Sequence, residues 1–186
     1  MNELIAKIEQ WAEDRNIIKG SKPIDQAMKL FSEFGELADN VGKGRDCRDD
    51  IGDCAVVLII MCAQIGFDFN DCKDVDFCEG ISTKQKVIEL MTALSAFAYN
   101  CDQYKDARSG LFESMSALKL ICTDLGYTLQ ECVQIAYDDI KDRKGIMHSG
   151  LFIKESDPAY QDVLDNIEAD KRMASQKRIS VNIEDL

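Results

Sequence analysis

The feature that most constrains this chain is a self-similarity at a fixed offset of 60 residues. The stretch "IIMCAQIGFDFNDC" (59–72) lies over "KLICTDLGYTLQEC" (119–132) without a gap. The match keeps Cys62/Cys122, Gly66/Gly126 and Cys72/Cys132, with Phe67/Tyr127 and Asp71/Glu131 as like pairs. In the same register Leu30, Ala38, Asn40, Asp46, Arg48 and Leu58 recur as Leu90, Ala98, Asn100, Asp106, Arg108 and Leu118. Apolar periodicity alone does not require a single ungapped offset through two helices and their loop. The repeat therefore reads as a duplicated helical hairpin.

A chain of 186 residues is long enough for one domain with a real core. Two prolines and a steady supply of Ala, Leu, Ile, Lys, Asp and Glu favour helices. The predicted class is all-α: a four-helix-bundle core made from two tandem hairpins, about 22–66 and about 82–126, plus N- and C-terminal helices. A first helix is expected over about Glu3–Arg15, broken by "IIKGSKP". Ser21 is the expected cap of a second helix, with Pro23 in its first turn. Ile24, Ala27, Met28, Phe31, Phe34, Leu37, Ala38 and Val41 carry the helical period to about Val41. A third helix spans about Arg48–Ile65 and ends at Gly66, after which Asp68 and Asp71 start a short segment. The domain is expected to cover 1–155, with 156–186 as a polar, loosely packed tail.

The net charge of −12 argues against a nucleic-acid-binding surface, because phosphate backbones attract clustered Lys and Arg. A polyphosphate substrate would need metal ions to offset that field. The longest uncharged run, "CAVVLIIMCAQIGF" from Cys54, is too short to span a bilayer. The charged stretch "MNELIAKIEQWAEDR" is no signal peptide, so a cytoplasmic protein is expected. Eight cysteines, at 47, 54, 62, 72, 78, 101, 122 and 132, form no Cys-x-x-Cys, and His148 is the sole histidine. Several sit in apolar runs, where a free thiol behaves as a small hydrophobe, so reduced core cysteines are expected.

The chemistry concentrates in "LFSEFGELADN" (30–40) and "DDIGDCAVVLIIMCA" (49–63). Glu33 and Glu36 stand one turn apart, as do Asp50 and Asp53. With an antiparallel turn centred near Lys43, Glu36 faces Asp50 and Glu33 faces Asp53. Four carboxylates then converge across a helix pair packed at ~8–10 Å. Acidic pairs on helices are more often merely solvated. Here Asp53 precedes a stretch buried on nearly all sides, a costly place for an unpaired carboxylate. On the facing helix Gln26, Lys29, Glu33, Glu36 and Asn40 form one polar stripe that suits a ligand. Repelling carboxylates at that spacing call for a cation, and oxygen ligands suit Mg²⁺ or Mn²⁺.

At these residues the chain resembles a known family. "EFGE" (33–36) followed by "DIGD" (50–53) is similar to the ExxE…(E/D)xxD signature of the all-α nucleoside triphosphate pyrophosphohydrolases, the MazG-like group with the dimeric dUTPases. "QWAEDRNII", "KLFSEFGELADN", "DDIGDCAVVLIIMCAQIG" and "AYDDIKDRKGIMHSGLFIKE" (136–155) resemble the phage-type MazG-like proteins in particular. The likeness covers most of 5–155. It departs from the simple family pattern in an extra hairpin, roughly 73–127, before "IKDRKG". In that copy Glu33, Glu36 and Asp50 correspond to Ala93, Ala96 and Gly110, and only Glu113 stands in for Asp53. This resembles the dimeric dUTPases, where one chain carries a functional and a degenerate half.

The resemblance implies metal-dependent hydrolysis of a (deoxy)nucleoside triphosphate to the monophosphate and pyrophosphate. Glu33, Glu36, Asp50 and Asp53 would hold Mg²⁺, or Mn²⁺, and Glu36 would orient or deprotonate a water. Gln26 would contact the substrate, and Lys29, one turn before Glu33, would contact a phosphate or merely pair with a glutamate. Lys141, Arg143 and Lys144 would meet the phosphates once the last helix folds back. A homo-oligomer, in the first instance a dimer, is implied, in a host cytoplasm if phage-encoded. Trp11 is expected in the core and His148 carries no role. Two rivals stand beside this reading: a strict dUTPase, and a non-catalytic helical module binding metal or nucleotide.

Overall fold

Helix α4 (Arg48–Ile65) is apolar around almost its whole circumference, and 12 of its 18 residues are buried, from Asp50 to Cys62. Such a helix must be surrounded. In a computed structural model of the protein, which describes the backbone of residues 1–75, 80–103 and 105–184, it is. Helix α3 (Pro23–Lys43) packs along one flank and α7 (Leu129–Ile140) along another. Helices α1 (Asn2–Asp14) and α2 (Ile17–Gly20) close further sides. The second hairpin, α5 (Thr83–Asp102) and α6 (Arg108–Leu125), joins through α5 against α3 and through α6 against α4. The architecture is all-α, with a four-helix core of two tandem hairpins. Among the described residues, no helix is long and apolar enough to cross a membrane.

The two hairpins share one register. Helices α4 and α6 begin at 48 and 108 and end at 65 and 125. Each stops at a left-handed glycine, Gly66 with φ 71° and Gly126 with φ 76°, a conformation open to glycine at no steric cost. The next N–H closes each end, Phe67 onto the Cys62 carbonyl at 3.0 Å and Tyr127 onto that of Cys122 at 2.8 Å. Arg48 pairs with Asp46 and Arg108 with Asp106 at the opposite ends.

The copies differ where polar chemistry is concerned. Gly110 stands at the place of Asp50, and a Cβ there would lie 2.7 Å from the Phe97 backbone nitrogen. The second hairpin is closed too tightly for a carboxylate at that position. Buried Ala93 replaces Glu33, while Ala96 and Glu36 are both exposed. Gln26 and Gln64 of the first copy correspond to Lys86 and Asp124, which form an ion pair at 2.6 Å.

Three expectations need correction. Ser21 does not cap α3. Its hydroxyl donates to the Ile17 carbonyl at 2.7 Å, and Asp25 instead accepts from the Lys22 N–H at 2.8 Å. The basic segment after α7 is not helical. The chain turns at 141–144 into a two-stranded antiparallel hairpin, β1 (Gly145–His148) and β2 (Leu151–Lys154). Ser149 (φ 51°) and Gly150 (φ 80°) form its two-residue turn, whose backbone twist matches that of the flanking strands. The stretch expected as a loose tail carries helix α8 (Tyr160–Glu184), which packs on β1.

The seven described cysteines are free thiols, six of them buried and Cys72 half-buried; Cys78 lies outside the described residues. Burial pushes the thiols of Cys54 and Cys62 up, so they stay protonated and inert. Alkylation after unfolding without reductant should label all eight, read by mass spectrometry. A protected Cys122–Cys132 pair, whose sulfurs stand 3.9 Å apart, would contradict this. A second outcome concerns the α4–α7 seam. A Cβ on Gly52 would lie 2.1 Å from the Cys132 carbonyl oxygen, so Gly52→Ala forces the helices apart and should cost about 1–3 kcal/mol or more. Gly35, also helical but with nothing within 4 Å of a built Cβ, should gain about 0.5–1 kcal/mol as Ala. Denaturant unfolding of both variants measures the contrast.

Candidate functional site

Where α1, α3, α4, the 141–144 turn and the β-hairpin fail to meet, a cleft of about 550 Å³ opens. The polar stripe of α3 supplies Gln26, Lys29 and Glu33 at successive turns of one face. Helix α4 supplies Asp53, then Val56, Val57 and Ile60 deeper along the same side. Trp11 and Ile17 form the wall from the N-terminal helices. Arg143 and Lys144 enter from the turn after α7, and Met147, Phe152 and Lys154 from the β-hairpin. One region of the lining is acidic, one cationic, and the rest aromatic and aliphatic.

The acidic region is electrostatically loaded. Glu33 is only 4 % exposed and forms an ion pair with Lys29 one turn earlier on α3. Asp53 is pushed up to about 7, first by burial and then by the charges of Glu33 and Asp49, with Lys29 and Arg143 pulling the other way. Asp49 is raised as well, by burial and by Asp139 and Glu33. Asp50 is raised chiefly by burial, against which a 2.8 Å hydrogen bond donated by the Asn40 amide works. Glu36 adds to the rise at Asp50 through its charge. Carboxylates held this close without a full complement of cations favour protonation or a bound cation.

Gln26, 5 % exposed, has its amide fixed by a 2.9 Å hydrogen bond to the Ser21 hydroxyl. The Gln64 amide donates to the same oxygen and to the Ser21 carbonyl, both at 3.1 Å. The β-hairpin is sewn to the α1–α2 junction. Met147 N–H donates to the Arg15 carbonyl at 2.8 Å, the Asn16 amide to the Met147 carbonyl at 2.9 Å, and Gly150 N–H to the Gly20 carbonyl at 2.9 Å. A Cβ on Gly20 would sit 2.4 Å from the Met147 oxygen, so only glycine permits this approach.

Of the residues singled out from sequence, Gln26, Lys29, Glu33, Asp53, Arg143 and Lys144 meet in the cleft. Glu36, Asp50 and Lys141 do not line it. Glu36 is exposed on α3, Asp50 is buried beside Asn40, and Lys141 pairs with Asp138 at 2.6 Å. Among the described residues, no three acidic, histidine or cysteine side chains already form a metal-holding cluster. The donor set is nevertheless all oxygen and suits hard divalent cations. Trp11 is half-buried and faces the cleft as well as the core. Met147, Phe152 and Lys154 were missed from sequence. The period-two run "GIMHSGLFIK" about Ser149-Gly150 is the signal that could have found them.

No family model matches the chain, and no solved structure matches it. The chain is 47 % identical over 70 residues to a Haemophilus phage HP1 protein described as an uncharacterized 18.2 kDa protein in the rep-hol intergenic region. That alignment takes in 37 % of this chain and 43 % of the phage protein, so the chain spans less than half of that relative.

Proposed function

We propose that the cleft hydrolyses (deoxy)nucleoside triphosphates to the monophosphate and pyrophosphate, water opening the α–β anhydride. The observation that carries this reading is the meeting of Glu33 and Asp53, from facing helices, with Lys29, Arg143 and Lys144 in one partly apolar cleft. The apolar lining suits a nucleobase and sugar, and the cations suit phosphate oxygens. Glu33 and Asp53, with Asp50 and Glu36 one turn away, would hold Mg²⁺ or Mn²⁺. When bound, the metal supplies charge neutralisation of the polyphosphate and acidification of a water.

The chain's own groups have definable tasks. Glu33 faces the cleft and Glu36 does not line it, so Glu33 is the better-placed carboxylate to orient the attacking water. Lys29 neutralises Glu33 in the free protein and is available to a phosphate once that carboxylate is otherwise engaged. Asp53, raised to about 7, releases its proton when positive charge arrives. Val56, Val57 and Ile60 exclude water from the far side of the reacting region. The relative is a phage protein, and a host-cell cytoplasm is the setting we infer.

Hydrolysis of a panel of dNTPs and NTPs should require Mg²⁺ or Mn²⁺ and stop in chelator. Glu33→Gln, nearly isosteric, should lower the rate by about 10²-fold or more. Release of pyrophosphate at undiminished rate in chelator would sink the metal-dependent reading. Metal-free stability gives an independent check. Asp53 holds its proton to about 7 in the folded chain against 3.8 when unfolded. Between those values the unfolded state is ionised first, so folded stability falls as pH rises and levels off above about 7. Asp53→Asn lacks this penalty, so its melting temperature in chelator should gain on the parent's across that window. A gap independent of pH would show that Asp53 is not held neutral.

A further inference from the structure

We propose that Arg15 is a positioning residue that sets where the cleft's cations meet a polyphosphate; the proposal rests on the nucleotide reading of the cleft. Arg15 caps the C-terminal end of α1, one turn after Trp11. Its guanidinium lies 4.9 Å from the centre of the Trp11 ring. From that seat Nε donates to the Arg143 carbonyl at 2.7 Å and a terminal nitrogen donates to the Lys141 carbonyl at 3.0 Å. The other terminal nitrogen reaches the Trp11 carbonyl at 3.3 Å. Arg15's own carbonyl accepts from Met147 N–H at 2.8 Å. One residue is thereby tied to three walls of the cleft: the tryptophan, the cationic turn and the first strand of the β-hairpin.

The turn needs such a tie. Residues 141–144 are exposed, and among the described residues the backbone bonds from the turn onto the end of α7 are Lys141 N–H to the Tyr137 carbonyl and Arg143 N–H to the Ile140 carbonyl, both at 2.9 Å. Two carbonyls of the turn, two residues apart, are gripped by one planar fork, which fixes its rotation as well as its distance. Lysine has a single rotatable ammonium on a flexible stem and cannot reproduce that grip. Arg143 and Lys144 project from the gripped segment, so their distance from a bound phosphate chain follows from Arg15. Displacements of about 1 Å in such groups are costly. Arg15 itself does not line the cleft, and its donors are spent on the Trp11, Lys141 and Arg143 carbonyls. Its effect therefore scales with the number of phosphates, not with the base.

Calorimetric titration of the full chain, with Ca²⁺ present, tests this with three kinds of probe: inorganic tripolyphosphate, the common dNTPs, and their monophosphates. Arg15→Lys should weaken tripolyphosphate and dNTP binding by about tenfold and leave the monophosphates within about twofold. Trp11 is the sole tryptophan, so its emission should shift in the variant as the guanidinium leaves the ring. Equal weakening of mono- and triphosphates, or no weakening of either, overturns the proposal and leaves Arg15 a purely structural residue. Failure of the unsubstituted chain to bind any triphosphate overturns the nucleotide reading and this inference together, an outcome distinct from the previous one. If Arg15→Lys does not fold, Arg15→Gln, which keeps a side-chain donor, carries the same comparison.

Discussion

The structure hangs on the enclosure of α4. A helix apolar around almost its whole circumference has little face to give to water, so the other helices are arranged as its walls. The closest wall is α7, brought backbone-near at Gly52 against the Cys132 carbonyl. An enclosed helix also dictates where charge is tolerated. Asp50 and Asp53 lie in its first turns, before the continuous apolar run, and Asp53 emerges where the walls leave a gap. The cleft and the raised acid are thus two results of one packing arrangement. Burial is the first cause of the rise at Asp53, and the charge of the facing Glu33 the next.

The same scaffold built twice shows what that gap requires. In the first hairpin the node between the start of one helix and the end of the other is uncharged, Gln26 and Gln64 sharing the Ser21 hydroxyl. In the second, Lys86 and Asp124 occupy the corresponding places, and Lys86 is 8 % exposed. A buried lysine gripped by both carboxylate oxygens, at 2.6 and 2.7 Å, satisfies itself and offers nothing to a ligand. Thr83 adds a third bond to the same carboxylate at 2.9 Å. Together with the tight approach at Gly110, this makes the second hairpin a closed packing partner.

Much of the helical framework was legible because its signals are local and periodic. The repeat placed both hairpins, and the α4 and α6 ends follow from Gly66 and Gly126, residues whose left-handed backbone stops a helix. The facing of Glu33 and Asp53 followed from counting across the turn. The far wall of the cleft was not legible in the same way. Ser21 reads as a cap by type, yet its hydroxyl is claimed by Ile17 and two glutamine amides brought in from elsewhere in the fold. The β-hairpin is short, and "IKDRKG" continues a helical run in composition, so its strand alternation was outweighed. The role of Arg15 depends on carbonyls 126 and 128 residues away, a contact no local pattern encodes. Helix α8 has a weak apolar stripe, which is why its stretch read as a tail.

Joining the two hairpins in one polypeptide has an evolutionary side. Where two identical chains form such a core, every substitution appears twice, and a change useful on one side must be tolerated on the other. A tandem arrangement lifts that restriction. Lysine and aspartate can stand in one copy where glutamines stand in the other, and glycine can replace one acid while its twin remains. The halves also stay at a fixed, high effective concentration, so the core does not come apart on dilution as a two-chain version would. One half is thereby free to specialise in holding the other.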